Sequence, residues 1–203
     1  MSRFLTPLAA LLVAAAAPAA AQVTSSAGGE TARSMTPTAP VLREPVAEMF
    51  TPPKIAGVAS VSNMSEIQPS QIALTRAQHP QVRRFAQRMI DEHMRLEQAM
   101  QSMLQQKGVT PEHNGHSYQM HQNLGPMLRE LNAAQGRDFD RLYMSHQVAS
   151  HMSTLHALDT TLIPQATDPQ MKAMLQQQVR PAVAQHYEQA LQLRDRVATG
   201  NGR

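Results

Sequence analysis

The chain has 203 residues, no cysteine, no tryptophan and a formal net charge of +3. Without cysteine there are no disulfides, no thiolate metal ligands and no lipid-modified cysteine, so stability must come from packing alone. A charge this small and dispersed, with aromatic residues at 3%, excludes both an electrostatic footprint and a stacking platform for nucleic acid.

The chain opens with Arg3, an apolar run from Leu8 to Ala17, and Ala19-Ala20-Ala21 before Gln22. This order of positive, apolar and small residues predicts a secretory signal peptide over residues 1–21, and therefore export. No later segment is apolar for long enough to span a bilayer. Residues 22–55 are rich in Ser, Thr, Ala and Pro without apolar periodicity, which predicts a disordered tether.

From Ala56 the vocabulary changes to Ala, Leu, Met, Gln and Arg, and the prediction is a single all-α domain over residues 56–198 with a flexible tail at 199–203. The first helix is placed at about Ala56 to Gln78, with Pro69 kinking it. The second starts at Pro80, a favourable first-turn position, and stops at Gly108. A polar loop from Thr110 to Gln119 then leads into a short helix at about Leu124 to Ala134, ended by Gly136. The third long helix is expected from about Arg137 to Pro164. Asp168-Pro169 caps the fourth, which reaches about Ala198 and contains Pro181. Four long helices with one apolar stripe each are stable only if those stripes are buried together. A four-helix bundle with one long crossover carrying a short extra helix meets that need.

Three histidines occupy stripe positions. In the second helix the stripe is Val82, Phe85, Met89, His93, Leu96, Met100, Met103. In the third it is Met144, Val148, His151, Leu155, Leu158, Leu162, and in the fourth Leu175, Val179, Ala182, His186, Ala190, Leu193, Val197. Packed together, the helices bring three imidazoles into one interior.

The string Phe85-Ala86-Gln87-Arg88-Met89-Ile90-Asp91-Glu92-His93, followed by Lys107-Gly108-Val109, resembles the bacterial domain-of-unknown-function 4142 family. Glu66-Ile67 with Ala73-Leu74, Phe139-Asp140 with Tyr143, Gln147 and His151, and Pro181 with His186 fit the same family in order. The resemblance covers about Ala56 to Val197. It implies an exported, ferritin-like helical protein without implying a common reaction, and its members have been described as outer-membrane proteins. Two departures stand out: Glu92 replaces the aspartate usual before the helix-2 histidine, and Pro69 interrupts the first helix.

Ferritin-like di-iron centres use Glu-x-x-His pairs, and the residues three before the histidines here are Ile90, Val148 and Val183. A classical di-iron centre is therefore not expected. Two readings stay open. One is a mononuclear Zn, Cu, Ni or Fe site on His93, His151, His186 and Glu66, one ligand per helix, with Gln147 and Glu97 orienting the rings. The other is a metal-free polar network in which the histidines bond to Glu66, Tyr143 or main-chain carbonyls.

His113, His116 and His121, with Met120, form a weaker cluster in the loop. Met89, Met100, Met103, Met144, Met171 and Met174 read as core filler. No nucleophile turn and no glycine-rich phosphate loop is present, which argues against an enzyme. An envelope protein or a second copy of the chain is the kind of partner a tethered bundle fits.

Overall fold

The computed structural model describes residues 49–199, and these are entirely helical and loop, without a strand among them. The expected signal peptide, most of the tether and the end of the tail lie outside the described residues. No helix of the described residues is long and apolar enough to cross a membrane.

Helix α1 is Pro52–Arg76, and it starts four residues before the expected Ala56. Prolines at its first positions lack an N–H that a helix start leaves unbonded in any case. Residues 52–55 are thus helical rather than tether, and Ile55 is fully buried. Helix α2 is Pro80–Lys107 and ends at Gly108, whose φ of 63° lets the Val109 N–H return to the Leu104 carbonyl at 2.9 Å. The corner between α1 and α2 is clamped from elsewhere. The buried Asp140 carboxylate accepts the main-chain N–H groups of Gln78 (3.1 Å) and His79 (2.9 Å).

Helix α3, Gly115–Ala133, corrects the expected short helix and much of the polar loop before it. Its start is a reciprocal cap: the Asn114 side chain accepts the Ser117 N–H, and the Ser117 hydroxyl accepts the Asn114 N–H, both at 2.9 Å. The segment before it docks on α1 through the Glu112 N–H and the Pro53 carbonyl at 2.9 Å. A Cβ on Gly57 would stand 2.0 Å from the Glu112 carbonyl oxygen, so only glycine permits this approach.

Helix α4, Gly136–Ala157, continues through a wide π turn, Leu158–Leu162, into α5, Ile163–Gln165. Helix α6, Pro169–Met174, continues through a second π turn, Leu175–Val179, into α7, Arg180–Thr199. Each π turn ends two residues before a proline, Pro164 or Pro181. Widening the turn relieves the clash a proline ring makes with the carbonyl four residues back. The second π turn also shifts register, so that Val183, at 2% exposure, and not Ala182 is the buried stripe residue.

Helix α1 packs along α2, α4 packs along α7, and α3 lies on α1. The interior has two apolar clusters. One gathers Ala73, Phe85, Met89, Phe139, Tyr143 and Leu193, and the other Ile55, Val58, Met100, Leu158, Leu175 and Val183. Between these clusters α1, α2, α4 and α7 contribute a set of buried polar residues, Asn63, Glu66, His93, Gln147, His151 and His186, beside the apolar Val61, Ile67 and Ile90. All six named core methionines are buried as well.

Candidate metal centre

His93 from α2, His151 from α4 and His186 from α7 are exposed by 3%, 1% and 0%. Their ring centroids are 5.8 Å apart for His93 and His151, and 5.3 Å apart for each of the other two pairs. One ligand nitrogen from each ring lies within 4.8 Å of the others, and this is the one such converging group of His and acidic residues among the described residues.

Each ring is held by one nitrogen. The Asn63 amide NH2 donates to Glu97 at 2.8 Å, which leaves Asn63 Oδ1 facing His93 Nδ1 at 3.1 Å. His93 Nδ1 must then carry the proton. Glu97 is itself fixed by Ser60 Oγ and Gln101 Nε2, both at 2.8 Å. His151 Nδ1 donates to the Gln147 carbonyl at 2.8 Å. His186 Nε2 meets the Glu92 carboxylate at 2.5 Å. The opposite nitrogens, His93 Nε2, His151 Nε2 and His186 Nδ1, are buried without any hydrogen-bond partner.

That division matters chemically. A neutral imidazole whose N–H is given to a carboxylate, amide or carbonyl presents a lone pair at its other nitrogen, which is the arrangement of a metal-ligating histidine. Burial, followed by the neighbouring His151 and His186, holds His93 well below the ordinary histidine range. Burial also lowers His186, outweighing the opposing pull of Glu92. Both shifts favour the neutral, ligating form. A tetrahedral ion with bonds of about 2.0–2.1 Å keeps its nitrogens about 3.3 Å apart, so each ring closes on an ion by moving less than about 1 Å.

Glu66 is not in the converging group. Its carboxylate accepts the Gln147 side-chain NH2 at 2.8 Å and the Ser150 hydroxyl. The contribution of α1 to the site is Asn63, which sequence reasoning missed because an asparagine outside an apolar stripe carries no periodic signal. Glu92, a departure from the family string, joins α2 to α7 through His186, a contact that residue spacing alone does not show. Glu97 acts on His93 through Asn63, and Gln147 orients His151 by its main chain, not its side chain. Nor do the histidines bond to Glu66 or Tyr143, whose hydroxyl pairs with Ser70 Oγ at 2.8 Å.

The loop histidines do not converge. His113, His116 and His121 are exposed on or before α3. His113 turns to Ser117 and Tyr118, while His116 lies edge-on to Phe50.

The family model described as "Domain of unknown function (DUF4142)" matches residues 36–193. The chain belongs to this family. No curated protein matches it. Among solved structures, "CopM in the Cu(II)-bound form" is similar, with a TM-score of 0.57 and 21% identity over 73% of this chain and 98% of that one. A likeness at that identity speaks for the helical fold alone.

Proposed function

We propose that this DUF4142 protein is an exported, ferritin-like four-helix bundle that binds one transition-metal ion on His93, His151 and His186, as a carrier or store and not as an enzyme. The bundle would consist of the rods at 52–76, 80–107, 136–165 and 169–199, with α3 in the crossover. Export to the periplasm rests on the leader-like residues up to Ala21.

The observation that carries the metal reading is the pairing of three outward-tied N–H groups with three unpartnered buried nitrogens. A self-sufficient polar network leaves no such remainder, since each buried nitrogen without a partner costs about 1–3 kcal/mol. Imidazole donors without thiolate or carboxylate suit Cu(II), Zn(II) or Ni(II). Cu(II) is placed first because it stands highest in the divalent affinity series, and because a protein of similar fold is named as Cu(II)-bound. Three protein ligands also leave a coordination position for exchange.

The test is a titration of untagged protein with Cu(II) and Zn(II), read by calorimetry and by paramagnetic resonance for Cu(II). One equivalent should bind with nitrogen hyperfine structure. A His93→Ala, His151→Ala double variant should lose it. A folded protein that takes up no stoichiometric metal overturns the proposal.

A further inference from the structure

One groove gathers positive charge that the rest of the chain disperses. It runs between the first turns of α2 and the second half of α7 and encloses about 360 Å³, a volume within the range of small-ligand sites. Arg84 and Arg88 line it from α2 and Arg196 from α7, and no aspartate or glutamate lines it. The buried side chains of Phe85 and Leu193 close its floor. Acids on the same stretches are engaged elsewhere: Asp91 accepts from Gln87 at 2.9 Å, Asp195 from Arg194 at 3.0 Å, and Glu92 lies against His186 and reaches Arg88 only at 3.8 Å. Glu188 is exposed outside the groove.

What does bond these arginines is neutral. Gln189 Oε1 accepts from Arg88 at 2.6 Å and Gln81 Oε1 from Arg196 at 3.4 Å, while Arg84 has no hydrogen bond or ion pair among the described residues. A guanidinium only donates, so each of these glutamines is set with its oxygen on an arginine and its NH2 left over as a further donor. Of the groove's glutamines only Gln192 keeps its oxygen free. Both walls therefore present mainly donors. A carboxylate meets such a set with two oxygens, whereas a phosphate group brings three and more charge. Arg84 and Arg88 stand one turn, about 6 Å, apart along α2 with Arg196 on the opposite wall, which suits a ligand carrying more than one negative charge.

We propose that the groove binds a multiply charged phosphate group, held between Arg84 and Arg88 on one wall and Arg196 on the other. The site stands apart from the metal reading, and it is tested on metal-free protein dialysed clear of chelator. Calorimetric titration with pyrophosphate should show one saturable site, and succinate should bind at least tenfold more weakly. Arg84→Gln and Arg196→Gln, both at exposed positions, should each weaken pyrophosphate at least tenfold with helix content unchanged by circular dichroism. Arg137→Gln removes the same charge from the exposed start of α4 and should leave binding as it was. Arg88 is spared because it also faces Glu92. Co-sedimentation with phosphatidylcholine vesicles, with and without phosphatidic acid, separates the two sources of the group. Capture that needs both phosphatidic acid and Arg84 supports a lipid headgroup, and pyrophosphate binding without such capture supports a free phosphate. Absence of a saturable pyrophosphate site, equal affinity for succinate, or equal losses in all three arginine variants overturns the inference.

Discussion

The Glu92 carboxylate on α2 stands 2.5 Å from His186 Nε2 on α7, and so ties the ring that completes the triad to the helix bearing its first member, His93. Glu92 is half-buried and also faces Arg88 at 3.8 Å. Removing it frees the His186 ring to rotate or to change tautomer, which withdraws Nδ1 from the cluster. Glu92→Gln should therefore lower Cu(II) or Zn(II) affinity about 10- to 100-fold while the fold is kept. Glu92→Asp, the residue usual in the family string, should recover most of that loss. Competition with a chelator of known affinity reads both, and wild-type affinity in Glu92→Gln contradicts the assignment.

The neutral histidines make stability depend on pH. Folded His93 and His186 titrate below their ordinary value near 6.5, so between the folded and unfolded values the unfolded chain binds more protons. Stability is then fully present above about pH 6.5 and is lost as pH falls toward the folded values, by at most about 1.4 kcal/mol per pH unit for each histidine. Urea denaturation of metal-free protein should show a lower midpoint at pH 5 than at pH 7.5. His93→Gln should flatten that dependence, and a stability that rises on acidification is the contrary result.

Bound metal should act in the same direction as neutral pH. An ion held only by the folded state at 100 times its dissociation constant adds about 2.7 kcal/mol. The melting temperature should therefore rise with Cu(II) in the wild type and stay put in the His93→Ala, His151→Ala variant. Equal shifts in both proteins would point to binding elsewhere.

The histidine trio was legible in the sequence because a residue inside a stripe of three- and four-residue steps has only one way to face, which is inward. Their supports were not. Glu92 adjoins His93 and sits about 100° around the helix, so what it meets depends on where α7 crosses, a tertiary quantity. Asn63 is reached only through the α1–α2 packing. Glu66 was assigned to the ligands by counting one per helix, but its carboxylate is spent on Gln147 and Ser150. The π turns escaped notice because periodicity assumes a uniform helix, and the added residue moves the buried position from Ala182 to Val183. The length of α3 was hidden by Gly115, Gly125 and Pro126, poor helix formers outweighed by the Asn114–Ser117 cap.

Gly57 offers a test in which the usual rule reverses. Glycine to alanine inside a helix ordinarily stabilises by about 1 kcal/mol. Here the new methyl would meet the Glu112 main chain at 2.0 Å, a backbone that cannot turn aside as a side chain does. Gly57→Ala should destabilise by about 1–3 kcal/mol, as overpacking does, and should loosen the segment before α3. Faster amide exchange at Glu112 together with a lower melting temperature is the expected pair of results. A more stable variant would mean that the loop does not sit against α1.

The α1–α2 corner depends on Asp140 in a comparable way. Its carboxylate is 2% exposed and takes two main-chain N–H groups that no helix bond can satisfy, because Ala77 leaves α1 in an extended conformation and Pro80 holds His79 extended. Loss of the acceptor leaves two main-chain donors without their partner, one on the half-buried His79 and one on the exposed Gln78. Asp140→Ala should cost about 2–4 kcal/mol, more than a single lost helix cap. Asp140→Asn keeps one carbonyl oxygen and should cost roughly half as much. The loss should fall on folding and leave the metal affinity of the folded protein unchanged, since the corner lies beyond the first apolar cluster from the histidines. Chemical denaturation alongside metal titration distinguishes the two effects, and a metal affinity that drops in the folded Asp140→Asn variant would show that the corner positions the site after all.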